Sequence, residues 1–149
     1  MQNENSNVEA QYKTMAIVWF GLFTAQLMFL VVLFFAKPEV YQFDFSKSPL
    51  GENSVLVVAL AVLGVSTFLL SFVFRKKFLA QSIAEQNAAH VQTALIISCA
   101  LCEVTTLFGL VLAFAVAYQF FFAWFALGLF GTILHFPKRG DLIAASYKK

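Results

Sequence analysis

VQTALIISCALCEVTTLFGLVLAFAVAYQFFFAWFALGLFGTILHF, residues 91–136, decides the fold. The run is apolar almost throughout, and as a single α-helix rising about 1.5 Å per residue it would reach about 69 Å. The hydrocarbon core of a bilayer is only roughly 30 Å thick. The run therefore predicts two crossings, a third helix over about 92–116 and a fourth over about 120–136, with the reversal near residues 117–119. Neither Gly nor Pro punctuates that turn, so its place rests on length alone.

Two further spans precede this pair. Residues 15–36, MAIVWFGLFTAQLMFLVVLFFA, end at Lys37-Pro38, where proline's ring and missing donor stop a helix. Residues 54–74, SVLVVALAVLGVSTFLLSFVF, begin at a serine or asparagine cap. Composition agrees, with 60% hydrophobic residues, 12% charged residues and a mean hydropathy of +0.79. A soluble domain carries about a quarter charged residues. The expected fold is all-α and polytopic: a polar segment over 1–14, a four-helix membrane domain over 15–136 and a basic tail over 137–149. The start, MQNENSNVEAQYK, lacks the basic region of a signal peptide, so the first span is expected to stay as an anchor.

Charge supplies orientation. With both termini cytoplasmic, Lys13, Arg75, Lys76, Lys77, Lys138, Arg139, Lys148 and Lys149 lie inside, and Lys37 and Lys47 outside. The expected location is a bacterial cytoplasmic (inner) membrane. Lys76 and Lys77 read as headgroup anchors for the second helix. The aromatic run YQFFFAWF, residues 118–125, falls near the outer interface, and residues 37–53 form an irregular outer connection. The formal charge of +2 has no groove-like distribution, and no nucleic-acid partner is expected.

Within the third span, Ala94, Ser98, Cys102, Thr105, Gly109, Ala113 and Ala117 recur every three or four residues. Such a stripe lets helix backbones approach closely in a bilayer. Glu103, the only formally charged residue between His90 and Lys138, sits about 100° around the axis from Cys102, at the edge of that seam. Counting the helical rise, Glu103 and Gln26 reach a similar depth, with Ser66 and Thr67 somewhat nearer the cytoplasmic side and Thr106 one turn beyond Glu103. Together they make a candidate polar site.

A carboxylate costs much free energy to keep ionised in hydrocarbon, so the neutral acid is the expected form at rest. Three uses follow: reversible binding of a proton or cation, a static hydrogen-bonding clamp between helices, or a contact with a basic partner subunit. Other groups offer less. Cys99 and Cys102 share a face without a third ligand at their depth, so no metal is expected. His90 and His135 lie at the cytoplasmic boundary, and Gly128 and Gly131 have the spacing of a close helix contact. No phosphate loop, zinc motif or nucleophile elbow occurs, so a small lipid-modifying enzyme is the least favoured alternative, and no cofactor is expected.

The run ALCEVTTLFGLVLAF, residues 100–114, resembles the ion-binding helix of the proteolipid, or c subunit, of rotary ATP synthases. The resemblance covers mainly the second and third helices. It implies that Glu103 is the ion-carrying carboxylate, that residues 75–92 take the place of the polar cytoplasmic loop, and that a partner subunit in the membrane faces the acid. The expected function is a small membrane protein with a proton- or sodium-binding carboxylate, Glu103, supported by Gln26, Ser66, Thr67 and Thr106, and coupled to ion movement. The alternative is a non-enzymatic accessory subunit of a membrane complex. Either role implies other membrane subunits or self-association.

Overall fold

The structure, a computed structural model, describes residues 2–42, 44, 48, 50 and 53–146, with only the backbone for residues 2–6. Among them every α-helix but the last follows a hydropathic block. These are α1 (Gln2–Ala36), α2 (Ser54–Glu85), α3 (Ala89–Val116), α4 (Phe122–Leu134) and α5 (Arg139–Ser146), with a 3-10 turn at Pro38–Tyr41. There is no strand among the described residues.

Among the described residues three helices are long and apolar enough to cross a membrane, which makes this a helical membrane protein. The fourth apolar stretch is shorter than its sequence suggests. α4 has 13 residues, which span about 20 Å. Residues at each end of the apolar run are spent on turns: Phe121 and Trp124 amides bond back to the Tyr118 and Phe121 carbonyls, and the His135 amide caps onto Gly131 and Thr132.

Side-chain pairings give the helix directions. Gly109 meets Phe121 and Phe125, while Gly128 and Gly131 meet Cys102, so α4 runs antiparallel to α3. Thr67 bonds to Thr105 and Ser98 to the Ser71 carbonyl, so α2 is antiparallel to α3 as well. α1 runs parallel to α3, with Met15 packed beside Val91 and Leu95, and Leu33 beside Leu112 and Ala113. The small-residue face of α3 is the seam of the bundle. Ala94, Ser98, Cys102, Thr105, Gly109 and Ala113 are buried there, and Ala117 at its end is exposed.

Two turns use left-handed residues without glycine: Gln86 at φ 50° closes α2 and Ala117 at φ 47° closes α3. That explains the unpunctuated reversal, because the αL position that usually takes Gly is filled by an alanine at moderate cost. Ala117→Gly is expected to raise stability by about 1 kcal/mol, and Ala117→Val to lower it, read as opposite shifts in SDS-unfolding midpoint. Gln119 then fastens the connection that follows α1. Its amide donates to the Asp44 carbonyl at 2.6 Å and its oxygen accepts from the Asp44 amide at 3.0 Å. The aromatic cluster lies partly inside the bundle: Phe121 and Phe125 are buried, and Phe121 packs edge-on against Tyr41 and Phe125.

The segment after Phe136 is more than a basic tail. Its first part folds into α5, which buries Leu142 and Ala145 against Met15, Val91 and Leu95. Arg139 pairs with Glu9 at 3.1 Å and lies 4.7 Å above the Tyr12 ring, bringing α5 beside the first turns of α1. Lys148 and Lys149 lie outside the described residues.

Candidate functional site

The four residues expected to surround the Glu103 carboxylate separate into three places. Gln26 is fully buried and binds two helices at once. The Thr106 hydroxyl of α3 donates to its Oε1 at 3.0 Å, and its Nε2 donates to the Thr132 Oγ1 of α4 at 2.7 Å. The Thr132 hydroxyl donates to the Gly128 carbonyl at 3.0 Å, and the Thr132 carbonyl accepts from Trp19 Nε1 at 2.7 Å. This chain of bonds ties α1 to α3 and α4 deep in the apolar zone. Lipid cannot satisfy these groups, so each must be paired internally.

Thr67 belongs to a second cluster. Its hydroxyl lies 2.9 Å from Thr105 Oγ1, and both lie near the Gly64 carbonyl, at 3.0 and 3.2 Å. Gly64 permits the approach, since a Cβ there would lie 3.2 Å from the Trp124 ring. Ser66 is exposed on α2, and its hydroxyl bonds only to the Val62 carbonyl in its own helix, at 2.7 Å. It joins neither cluster.

Glu103 stands apart from all of these. It is half-buried on α3 and forms no hydrogen bond or ion pair with any described residue. Ile96 and Phe114, seven positions before and eleven after it, fall on the same helical stripe and are exposed. That stripe is the lateral surface of the bundle. Glu103 therefore faces outward beside α1, while Thr106, about 60° around the axis from it, turns inward to Gln26.

A third polar cluster, around His135, joins α2, α4 and α5. His135 is fully buried, with Nε2 at 2.9 Å from Ser71 Oγ and Nδ1 at 3.4 Å from Arg75 Nη1. Arg75 can only donate, and Ser71 donates to the Phe68 carbonyl at 2.6 Å. The partners thus assign a neutral imidazole with its proton on Nε2. Arg75 also reaches the Phe136 carbonyl and Asp141, each at 3.4 Å. Its position just past the apolar end of α2 was the one available signal, because a basic residue there needs an anion or carbonyls close by.

Cys99 and Cys102 are free, buried thiols within this packing, and no group of three His, Cys, Asp or Glu among the described residues is arranged to hold a metal. The chain matches no family model, no curated protein and no solved structure.

Proposed function

We propose that this chain is a four-span protein of a bacterial cytoplasmic membrane with both termini in the cytoplasm, and that Glu103 is a proton-binding carboxylate offered sideways to a partner subunit. α4 and the turns flanking it make the fourth crossing. The observation that carries the reading is the isolation of Glu103: a half-buried acid on an apolar lateral stripe, without an internal partner, beside an interior whose polar groups engage one another. A static clamp between the chain's own helices would need a bond from Glu103 across the bundle, and the described residues supply none. An intramembrane carboxyl group left on a lateral face costs far more when ionised than when protonated. Its charge state then follows whether a partner covers it.

A proton suits this setting better than sodium, which needs several oxygen ligands. Gln26, Thr67 and Thr106 spend theirs on each other's helices, and Ser66 bonds within α2. Proton binding and release at Glu103, as a partner or a conformational change alters access, is the mechanism. The resemblance of residues 100–114 to the ion-carrying helix of rotary proteolipids points the same way.

A second reading has one observation in its favour. Close glycine contacts and cross-helix hydrogen bonds hold α1, α3 and α4 as one body, as suits an accessory subunit that uses Glu103 only to grip a neighbour. Labelling separates the two. In proteoliposomes, a membrane-permeant carbodiimide, which reacts with the protonated acid, should modify Glu103 at low pH and progressively less as pH rises. Glu103→Gln should abolish modification. Failure of the wild-type protein to react anywhere from about pH 5 to 9, a window extending well above the usual glutamate range, would overturn proton exchange.

A further inference from the structure

At the end of the bundle that carries α5, each acid with a described side chain already has a basic partner. Glu9 pairs with Arg139 at 3.1 Å, Asp141 with Arg75 at 3.4 Å, and Glu85 with His90 at 2.8 Å. Lys13, Lys76, Lys77 and Lys138 are exposed and pair with no described residue. They also share one level. Lys13 comes two residues before the apolar stretch of α1, Lys76 and Lys77 follow Phe74 at the apolar end of α2, and Lys138 follows Phe136 and Pro137.

Contacts of α5 gather them. Arg139, next to Lys138, is held by Glu9 and Tyr12 of α1, and Lys13 lies one helical turn beyond Glu9 on the same face. Arg75, next to Lys76, is held by the Phe136 carbonyl and Asp141, which bracket Lys138 from either side. The segment that carries Lys138 is therefore tied on one side to α1 and on the other to α2. Phe74 and Phe136 are exposed apolar side chains immediately on the bilayer side of these cations.

We infer that Lys13, Lys76, Lys77 and Lys138 form a headgroup site for an anionic phospholipid. The ammonium groups hold the phosphate, and Phe74 and Phe136 meet the upper acyl chains. Internal acids cannot compete for the lysines, because each described one is engaged. The site needs only insertion in a bilayer and does not depend on the proton chemistry of Glu103.

A juxtamembrane lysine strengthens binding to anionic lipid by about fivefold, so removing three should cost roughly 100-fold. The test is native mass spectrometry of the full chain released from detergent containing equal phosphatidylglycerol and phosphatidylcholine. The wild-type protein should retain phosphatidylglycerol in several-fold excess. Lys76→Gln/Lys77→Gln/Lys138→Gln should lose that preference, Lys138→Gln alone should reduce it, and the three Lys→Arg changes together should keep it. Lys37→Gln, at the opposite end beside Glu39, should have no effect. Equal retention of the two lipids by the wild type, or an unaltered preference in both Gln variants, overturns the proposal. Displacement of the lipid by millimolar inorganic phosphate would assign the lysines to free phosphate and overturn it as well.

Discussion

Gly128→Ala should destabilise the bundle by about 3 kcal/mol, at the upper end of overpacking costs, and release α4 from α3. A Cβ on Gly128 would collide with the Thr106 hydroxyl and lie 2.6 Å from the Cys102 carbonyl oxygen. The carbonyl belongs to the α3 backbone and cannot rotate aside. The hydroxyl is committed to Gln26, so any movement that relieves the clash also strains the bond from α3 to α1. α4 must retreat as a whole, and Thr132 goes with it.

Gly131→Ala is the informative comparison. Its Cβ would meet Cys102 Sγ at 2.6 Å and Phe68 Cε2 at 2.9 Å, both of them side-chain atoms. Side chains can yield, so the cost should be smaller, about 1 to 2 kcal/mol, and Cys102→Ala should recover much of it by removing the sulfur. Gly21→Ala, with nothing within 4 Å of the added carbon, should be neutral or slightly stabilising. Reversible unfolding in mixed SDS micelles measures all of these. Equal effects at Gly21 and Gly128 would refute the close α3–α4 contact.

Gln26→Leu should cost about 2 kcal/mol, the sum of two intramembrane hydrogen bonds and the desolvated groups they leave behind. Thr132 loses its Gln26 donor and Thr106 loses its acceptor. Each hydroxyl keeps a fallback within its own helix, since Thr132 already bonds to Gly128 and Thr106 lies 3.4 Å from the Cys102 carbonyl. The loss therefore falls on the attachment of α1 and not on α3 or α4. The Trp19 bond to the Thr132 carbonyl should keep α1 in place in the single variant. Combining Gln26→Leu with Trp19→Phe should loosen it more than either alone, visible as faster proteolysis around Lys13. A double-mutant cycle of Gln26→Leu with Thr106→Val should return a coupling of about 1 kcal/mol. Additive effects would show that the two side chains do not interact.

These predictions rest on features of unequal visibility in the sequence. The apolar blocks marked three long helices, and Lys37-Pro38 marked the end of the first at Ala36. The three-and-four spacing of small residues marked the buried face of α3, and the Gly128/Gly131 pair marked a close-contact face of α4, which the structure sets against Cys102 of α3. Such signals are periodic along one helix, and a helix of known rise and turn makes them readable. α4 was overestimated because hydropathy does not distinguish an apolar residue in a helix from one in a turn, and residues 120, 121, 135 and 136 serve the turns. α5 was missed because eight residues with only Leu142, Ile143 and the alanines as apolar content become a helix by docking on Met15, Val91 and Leu95.

The same distinction decides the site. Sequence by itself determined depth, because each residue adds a fixed rise: it set Gln26, Thr106 and Glu103 near one level and identified Glu103 as the only formal charge in the last two apolar segments. Depth does not give azimuth between helices. Only the tertiary structure decided that α1 lies against the Thr106 side of α3, so that Gln26 closes onto Thr106 and Thr132 while Glu103, about 60° away, is left on the lateral surface. That rotation is fixed by how Gly109, Gly128 and Gly131 let α3 and α4 approach and by where the remaining groove admits α1, a matter of packing between segments far apart in the chain.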